Sequence, residues 1–265
     1  MNTPVSDSAS DPPVLLVTGG AAGIGRALVR RLAARPARVV VVDVDADAGE
    51  EAASEVGGVF VRADVRDPAA SERAVAAAED AYGRLDLVHL NAGVDAGEPE
   101  PTALDPERYR HAVSVNVDGV YFGVRAALPA LRRAGGGAIV ATASLAGLVA
   151  YPMDPVYGMT KHAVVGLVRA LAPRLEADRV RIACVCPGFV DTPLLGEHRQ
   201  GFVDAGFPLL SPDGVAAAVE AALFSTETGG AWVVQPGRET VPYRFGGVPG
   251  PRVPGREAVS PPRLW

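Results

Sequence analysis

The stretch Thr18–Leu32, TGGAAGIGRALVRRL, decides the fold. It leaves the apolar run VLLVT (14–18) and enters the amphipathic segment GRALVRRLAARP. Gly19, Gly23 and Gly25 lie between the two. A chain that turns sharply out of a strand and straight into a helix needs residues without side chains at the bend. A second apolar run, ARVVVVD (37–43), follows the helical segment. Strand, glycine turn, helix, strand is the opening unit of a parallel α/β sheet.

Outward from that unit the same alternation continues. Short runs GVFVR (58–62), LDLVHLN (85–91), GAIVATAS (137–144), VRIACVC (180–186) and AWVVQ (231–235) alternate with alanine-rich segments such as DPAASERAVAAAEDAYG. The runs are nearly continuous in apolar residues, as parallel strands covered on both faces must be. Right-handed crossovers then place helices on both sides. There is no internal repeat and no linker. After Val234 the pattern stops, and the end is rich in proline and glycine, which excludes a long helix or a central strand there. The expected organisation is a disordered polar tail at 1–13, one catalytic domain at 14–238, and an extension at 239–265. Tyr243, Phe245 and Trp265 in that extension are expected to pack on the body of their own or a neighbouring subunit.

Composition narrows the function classes. The chain has 265 residues, 48% hydrophobic and 21% charged, which suits one large domain. No apolar run approaches the ~18–20 residues of a membrane span. The start, MNTPVSDSASDPP, has neither a basic nor an apolar signal region, so a cytoplasmic protein is expected. A net charge of −6 without a basic cluster argues against nucleic acid and anionic membranes as partners. Cys184 and Cys186 would share one face of a strand as buried reduced thiols. His89, His111, His162 and His198 show no metal-ligand spacing, so no metal is expected.

The glycine turn also suggests a ligand. Gly19, Gly23, Ile24 and Gly25 let a dinucleotide pyrophosphate approach the backbone at a helix N-terminus. Asp43 ends the second strand, where a carboxylate accepts hydrogen bonds from ribose hydroxyls and repels a 2′-phosphate. The plainer reading of Asp43 is a loop or capping aspartate. With no cation within 19–25 and Val44 and Asp45 after Asp43, the expected cofactor is NAD rather than NADP.

Tyr157–Lys161, YGMTK, holds the only lysine in a chain whose other basic residues among 25 are arginines. Four positions apart on a helix, Tyr157 and Lys161 share a face. A tyrosine of pKa ~10 is a poor base near neutrality, and a fixed ammonium favours its ionised form. An arginine would be bulkier and could not share a proton.

Read together, these segments resemble the short-chain dehydrogenases/reductases. Thr18–Gly25 matches the family's T-G-x-x-x-G-I-G, Asn91–Gly93 its N-A-G, and Asn116 in SVNVDGVYFG its helix asparagine. Ser144 lies thirteen residues before Tyr157, the family's usual interval, and Tyr157 and Lys161 match Y-x-x-x-K. PGFVDT (187–192) matches P-G-x-x-x-T. The chain departs from the family in carrying QPGR at 235–238 and the long extension after it.

The resemblance implies a three-layer Rossmann fold with a doubly wound parallel seven-stranded sheet, order 3-2-1-4-5-6-7. It implies Tyr157 as general acid/base, Lys161 on the tyrosine and the nicotinamide ribose, Ser144 on the reacting oxygen, and Asn116 supporting a water. It places Asp64 and Val65 beside the adenine, Asn91, Ala92 and Gly93 beneath the adenosine ribose, and Val190 and Thr192 at the nicotinamide carboxamide. On the substrate side it puts Leu145, Tyr151, Phe189, Leu194 and Leu195 with Ser144 and Tyr157, and a flap at 193–207. The expected activity is NAD-dependent oxidation of a secondary alcohol on a lipophilic or cyclic small molecule, by a homo-oligomer (dimer or tetramer). A carbonyl reductase using NADH or NADPH and a catalytically silent NAD-binding protein are the alternatives. An epimerase or dehydratase of the extended branch would need more chain after Thr192.

Overall fold

The computed structural model describes residues 12–247. Seven parallel strands form the sheet: β1 (Val14–Thr18), β2 (Arg38–Asp43), β3 (Val59–Arg62), β4 (Leu87–Leu90), β5 (Gly137–Thr142), β6 (Val180–Pro187) and β7 (Ala231–Val234). An eighth, β8 (Val241–Pro242), runs antiparallel along β7, so the order is 3-2-1-4-5-6-7-8. The sequence pattern predicts seven. Two residues inside a Pro/Gly-rich segment carry no readable period, and Pro242 is tolerated because β8 lies at the sheet edge.

Among the described residues there are eight α-helices: α1 (Gly23–Ala33), α2 (Ala46–Ser54), α3 (Pro68–Tyr82), α4 (Pro106–Val113), α5 (Gly119–Arg133), α6 (Pro155–Leu175), α7 (Arg199–Asp204) and α8 (Pro212–Phe224). Successive strand residues point to opposite faces. Leu15, Val17, Val140 and Val185 pack with Leu28 of α1 and Val219 of α8. Leu16, Ile139 and both Cys184 and Cys186 pack with Val124 of α5 and Val164 of α6. Both faces are therefore apolar, which is why the strand runs do not alternate with polar residues. Each large side chain buried this way contributes about 1.5–3 kcal/mol. His89 is the one histidine found in this core; His111, His162 and His198 are exposed.

Most helix starts are written locally. Asp45, Asp67, Asp105, Asp154 and Ser211 accept a backbone N–H in the first turns of α2, α3, α4, α6 and α8. Pro follows the cap in the last four of these. Among the described residues no helix is long and apolar enough to cross a membrane. The extension turns back on its own body as far as it is described. The Phe245 ring lies 3.7 Å from the Arg169 guanidinium of α6 and 4.9 Å from the Tyr243 ring. Trp265 and the tail residues 1–11 lie outside the described residues.

Chain order reverses between β1 and β4, the neighbours at the middle of the sheet. The crevice outside the carboxyl ends of strands at such a switch is where α/β folds bind ligands. The sequence motifs converge there.

Candidate active site

The glycine turn leaves β1 at Thr18. Gly19 has φ +62° and Gly23 φ +51°, backbone that side chains disfavour. A Cβ at Gly25 would lie 2.1 Å from the Gly19 carbonyl oxygen, so the turn closes only around glycine. Unlike α2, α3, α4, α6 and α8, α1 has no side-chain cap, and no acid lies in its first turn. The N–H groups at its start are thus left to a ligand, and a pyrophosphate fits that donor set. A Cβ at Gly23 would sit 3.2 Å from Thr192 Cγ2, so the segment after β6 closes against the turn. Val190 in that segment bridges to Leu210.

Asp43 holds the other side of the turn. Its Oδ2 accepts from Ala21 N at 3.0 Å and its Oδ1 from Asp45 N at 3.1 Å. The carboxylate stays at the end of β2 with lone pairs to spare for ribose hydroxyls. Arg62 stands beside Asp43 in register on β3 and donates Nε to the Val44 carbonyl at 3.3 Å. Asp64 is gripped by Arg66, with Nε to Oδ2 at 2.9 Å and Nη2 to Oδ2 at 2.6 Å. That fork holds the Asp64 carboxyl below its ordinary pKa. Val65 packs against Gly119, where a Cβ would meet Val65 Cγ2 at 2.8 Å.

A buried network joins the turn to the centre of the sheet. His89 Nε2 lies 2.9 Å from Thr142 Oγ1, and Thr142 Oγ1 donates to Asn91 Oδ1 at 3.0 Å. Since that hydroxyl proton is spent on Asn91, Nε2 carries the hydrogen and donates. Asn91 Nδ2 in turn donates to the Gly19 carbonyl at 3.1 Å. Thr18 Oγ1 accepts from Asn91 N at 2.9 Å and Ala92 N at 3.2 Å. His89 is fully buried, and burial pushes its pKa down to about 3, so the ring is neutral.

Beyond this network Ser144, Tyr157 and Lys161 gather. Tyr157 and Lys161 lie on one face of α6, with Lys161 Nζ 5.4 Å from the Tyr157 ring centre. Lys161 is 3% exposed and donates to the Thr142 carbonyl at 2.8 Å. Gly93 leaves it room, since a Cβ there would stand 3.3 Å from Nζ. Ser144 caps the turn at 145–147 by accepting from Ala146 N at 3.1 Å, and its hydroxyl lies close enough to Tyr157 to favour the ionised phenol. Asn116 sits in a π-helical turn, Ser114–Asp118, between α4 and α5. Its amide is fully engaged, accepting from Val94 N at 2.9 Å and donating to Val94 O at 2.7 Å and Thr160 Oγ1 at 3.0 Å.

The charge balance differs from the expectation for Tyr157. Crowding by protein pushes its pKa up to about 12, with Ser144 opposing and the charges of Asp154 and Asp95 adding to the rise. Burial also pulls Lys161 down to about 8. The ammonium points at the Thr142 carbonyl, so in the chain alone it does not offset desolvation of the phenol.

On the substrate side, aromatic rings line up beyond Tyr157. Tyr151 is 5.9 Å from the Tyr157 ring and 6.4 Å from Phe189. Phe189 contacts Phe202 at 4.4 Å and Phe207 at 5.6 Å, both from the segment expected to be a flap. Leu145 and Leu195 are half-buried, and Leu194 is exposed. Sequence reading missed Phe202, Phe207, Asp95 and Asp154. Asp154 is buried, and its Oδ1 accepts from Tyr157 N at 2.8 Å while Oδ2 accepts from Ala96 N at 2.8 Å and Gly97 N at 2.7 Å. The signal was present: Asp-Pro three residues before Tyr157 is a helix start. The tie from that cap to 96–97 was not.

Residues 13–201 match the family model described as short chain dehydrogenase. The chain is 36% identical over 193 residues to a cyclohexanol dehydrogenase of an Acinetobacter species, covering 71% of this chain and 76% of that one. It is 36% identical over 195 residues to a 2,5-dichloro-2,5-cyclohexadiene-1,4-diol dehydrogenase of Sphingobium indicum, covering 72% and 77%. A solved 3-ketoacyl-(acyl-carrier-protein) reductase from Brucella melitensis, complexed with NADH, superposes with a TM-score of 0.81 at 32% identity, covering 85% of this chain and 98% of that one. With this fold and a family match over most of its length, the chain belongs to the short-chain dehydrogenases, oxidoreductases that use a nicotinamide cofactor.

Proposed function

We propose that this protein is an NAD-dependent dehydrogenase that oxidises a secondary alcohol carried on a cyclic or lipophilic small molecule. The observation that carries the reading is the meeting of Ser144, Tyr157 and Lys161 where the glycine-turn crevice opens on an aromatic wall. The names of two relatives, both dehydrogenases of six-membered-ring alcohols, support the substrate class.

Bound NAD would supply the hydride acceptor at its nicotinamide. The uncapped start of α1 with Gly19, Gly23, Ile24 and Gly25 would hold the pyrophosphate, and Asp43 the adenosine ribose. Asp64 and Val65 would flank the adenine, Asn91–Gly93 would line the ribose path, and Val190 and Thr192 would reach the carboxamide. Ser144 donates a hydrogen bond to the reacting oxygen and orients it. Tyr157 takes the alcohol proton at its phenolic oxygen. Lys161 stands below it as the cation favouring the tyrosinate. Because Tyr157 alone sits at about 12, proton removal requires more positive charge in the cleft than the chain itself supplies. The Asn116 side-chain N–H groups are spent on Val94 and Thr160, so any water it supports would donate to one of its carbonyl oxygens. Tyr151, Phe189, Leu145, Leu194 and Leu195 would meet the apolar body of the substrate.

Arg62, beside Asp43, favours a second reading, a carbonyl reductase accepting NADPH. The test is initial-rate oxidation of a panel of cyclic secondary alcohols with NAD and with NADP at mildly alkaline pH. Turnover with NAD at least about tenfold better in kcat/KM than with NADP is expected. NADP preference would refute the cofactor assignment. Tight NAD binding without turnover of any alcohol would refute the catalytic one.

A further inference from the structure

The segment between β6 and α8 is fastened at its base. The Phe189 carbonyl accepts from Leu210 N at 2.8 Å and the Leu210 carbonyl from Asp191 N at 2.9 Å, so the two ends of 191–210 lie side by side. Arg199, at the start of α7, forks onto Asp191, with Nε to Oδ1 at 2.6 Å and Nη2 to Oδ2 at 2.7 Å. Where α7 stops, Gly206 takes φ +63° and Phe207 N donates to the Phe202 carbonyl at 2.9 Å. A left-handed glycine there turns the chain back, and the Phe207 ring comes to 5.6 Å from the Phe202 ring. Both rings also reach Phe189, Phe202 at 4.4 Å and Phe207 at 5.6 Å.

This trio continues inward. Phe189 is 6.4 Å from Tyr151, and Tyr151 is 5.9 Å from Tyr157. A row of ring contacts therefore starts at Tyr157 and ends in solvent. Tyr157, Tyr151, Phe189 and Phe202 are half-buried, whereas Phe207 is 45% exposed and Val203 of α7 is 47% exposed. No residue of α7 is buried. The uncovered side of such a ring contributes nothing to folding, and it leaves apolar surface for a ligand. Phe207 stands three ring contacts from Tyr157 along the row, so it meets a substituent of the substrate rather than the carbon that reacts.

The chemistry narrows that substituent. Carbon rings hold a ligand by dispersion and by excluding water, so the matching group is apolar. The charges beside Phe202 are already engaged, Arg199 with Asp191 and Asp204 Oδ1 with Gln200 Nε2 at 2.7 Å. Neither is left to pair with a charged group, which would lose water there without compensation. The ties from 189 to 210 and from 191 to 199 hold the rings together before a ligand arrives, which lowers the entropic cost of binding.

We propose that Phe207 is a specificity-determining residue that receives an uncharged alkyl substituent of the substrate, so that alkyl-bearing secondary alcohols are preferred over the bare ring. This rests on the dehydrogenase reading above. The test measures kcat/KM with NAD for cyclohexanol and for its cis- and trans-4-methyl, 4-ethyl and 4-propyl derivatives, in wild type, Phe207→Ala and Phe207→Leu, alongside thermal unfolding. In wild type at least one of the two series should rise about twofold per methylene, the worth of a half-buried one, or about eightfold from cyclohexanol to the propyl derivative. Phe207→Ala should bring that propyl-to-cyclohexanol ratio to within about twofold of one. Phe207→Leu, which keeps apolar surface at the position, should retain part of the rise. A wild type in which neither series rises, or a Phe207→Ala that lowers every member equally and leaves the ratio intact, overturns the proposal. If Phe207→Ala does not fold, a Phe207→Leu ratio equal to that of Phe207→Ser overturns it as well. Wild type inert towards cyclohexanol and all its derivatives overturns the underlying reading, and this inference with it.

Discussion

Replacing Lys161 with methionine should abolish turnover with NAD and make the NAD-free protein more stable. Lys161 is 3% exposed, and its ammonium donates a hydrogen bond to the Thr142 carbonyl at 2.8 Å. Burial pulls its pKa from 10.5 to about 8, against a smaller opposing effect of Cys186 and Cys184. At neutral pH that difference is about 3 kcal/mol by which the charged form opposes folding. Methionine fills a similar volume without charge, but leaves the Thr142 carbonyl without its donor at a cost of about 1–2 kcal/mol. The net expectation is a gain of about 1–2 kcal/mol, or roughly 2–8 °C in unfolding temperature for a chain of this size. The pH dependence carries the sharper test. The folded pKa is the lower one, so between about 8 and 10.5 the unfolded state binds more protons and wild-type stability recovers as pH rises. The variant has no such group, so its advantage should shrink across that window. Paired thermal unfolding scans from about pH 7 to about pH 10 measure this, because titrations common to both proteins cancel in the difference. A variant less stable than wild type at neutral pH, or an advantage that does not shrink with pH, would refute the claim that the reactive lysine is held against a burial penalty.

His89→Val should raise the KM for NAD about tenfold with a smaller effect on kcat, because the chain from His89 through Thr142 and Asn91 to Gly19 loses its first donor; His89→Gln should restore part of it, and steady-state kinetics with varied NAD would decide. Asp154→Ala strips three backbone N–H groups of their acceptor and should cost about 2–4 kcal/mol in denaturant unfolding together with a fall in kcat, whereas equal kcat in a destabilised variant would separate the cap from the chemistry. Asp43→Ala should relax cofactor choice, bringing kcat/KM with NADP to within about tenfold of that with NAD now that Arg62 faces no carboxylate; unchanged discrimination would mean that Asp43 serves the turn alone.

The strands through β7 and the glycine turn were legible because they rest on local properties, whereas the sheet order was what the family resemblance implied. A strand covered on both faces must be apolar throughout, and a turn with φ above zero whose Cβ would strike a carbonyl must be glycine. The order of motifs along the chain then marked which loops meet at the switch point. β8 escaped because its two residues carry no period of their own and pair only once β7 is in place.

Residue types were likewise readable at the candidate site, but not their partners. Lys161 stood out as the only lysine. That its ammonium is drawn to the Thr142 carbonyl, leaving Tyr157 at about 12, depends on groups brought together from β5 and α6. Asp154 was missed altogether: its local role as the cap of α6 follows from Asp-Pro at 154–155, but its hold on the loop at 96–97 depends on contacts 57 and 58 positions away in sequence. Sequence alone determined the strands, the turn and the residue types gathered at the candidate site, since each follows from a residue's own chemistry or its near neighbours. The tertiary structure decided protonation and clamping, since burial and Coulomb interactions act through space between segments far apart in the chain.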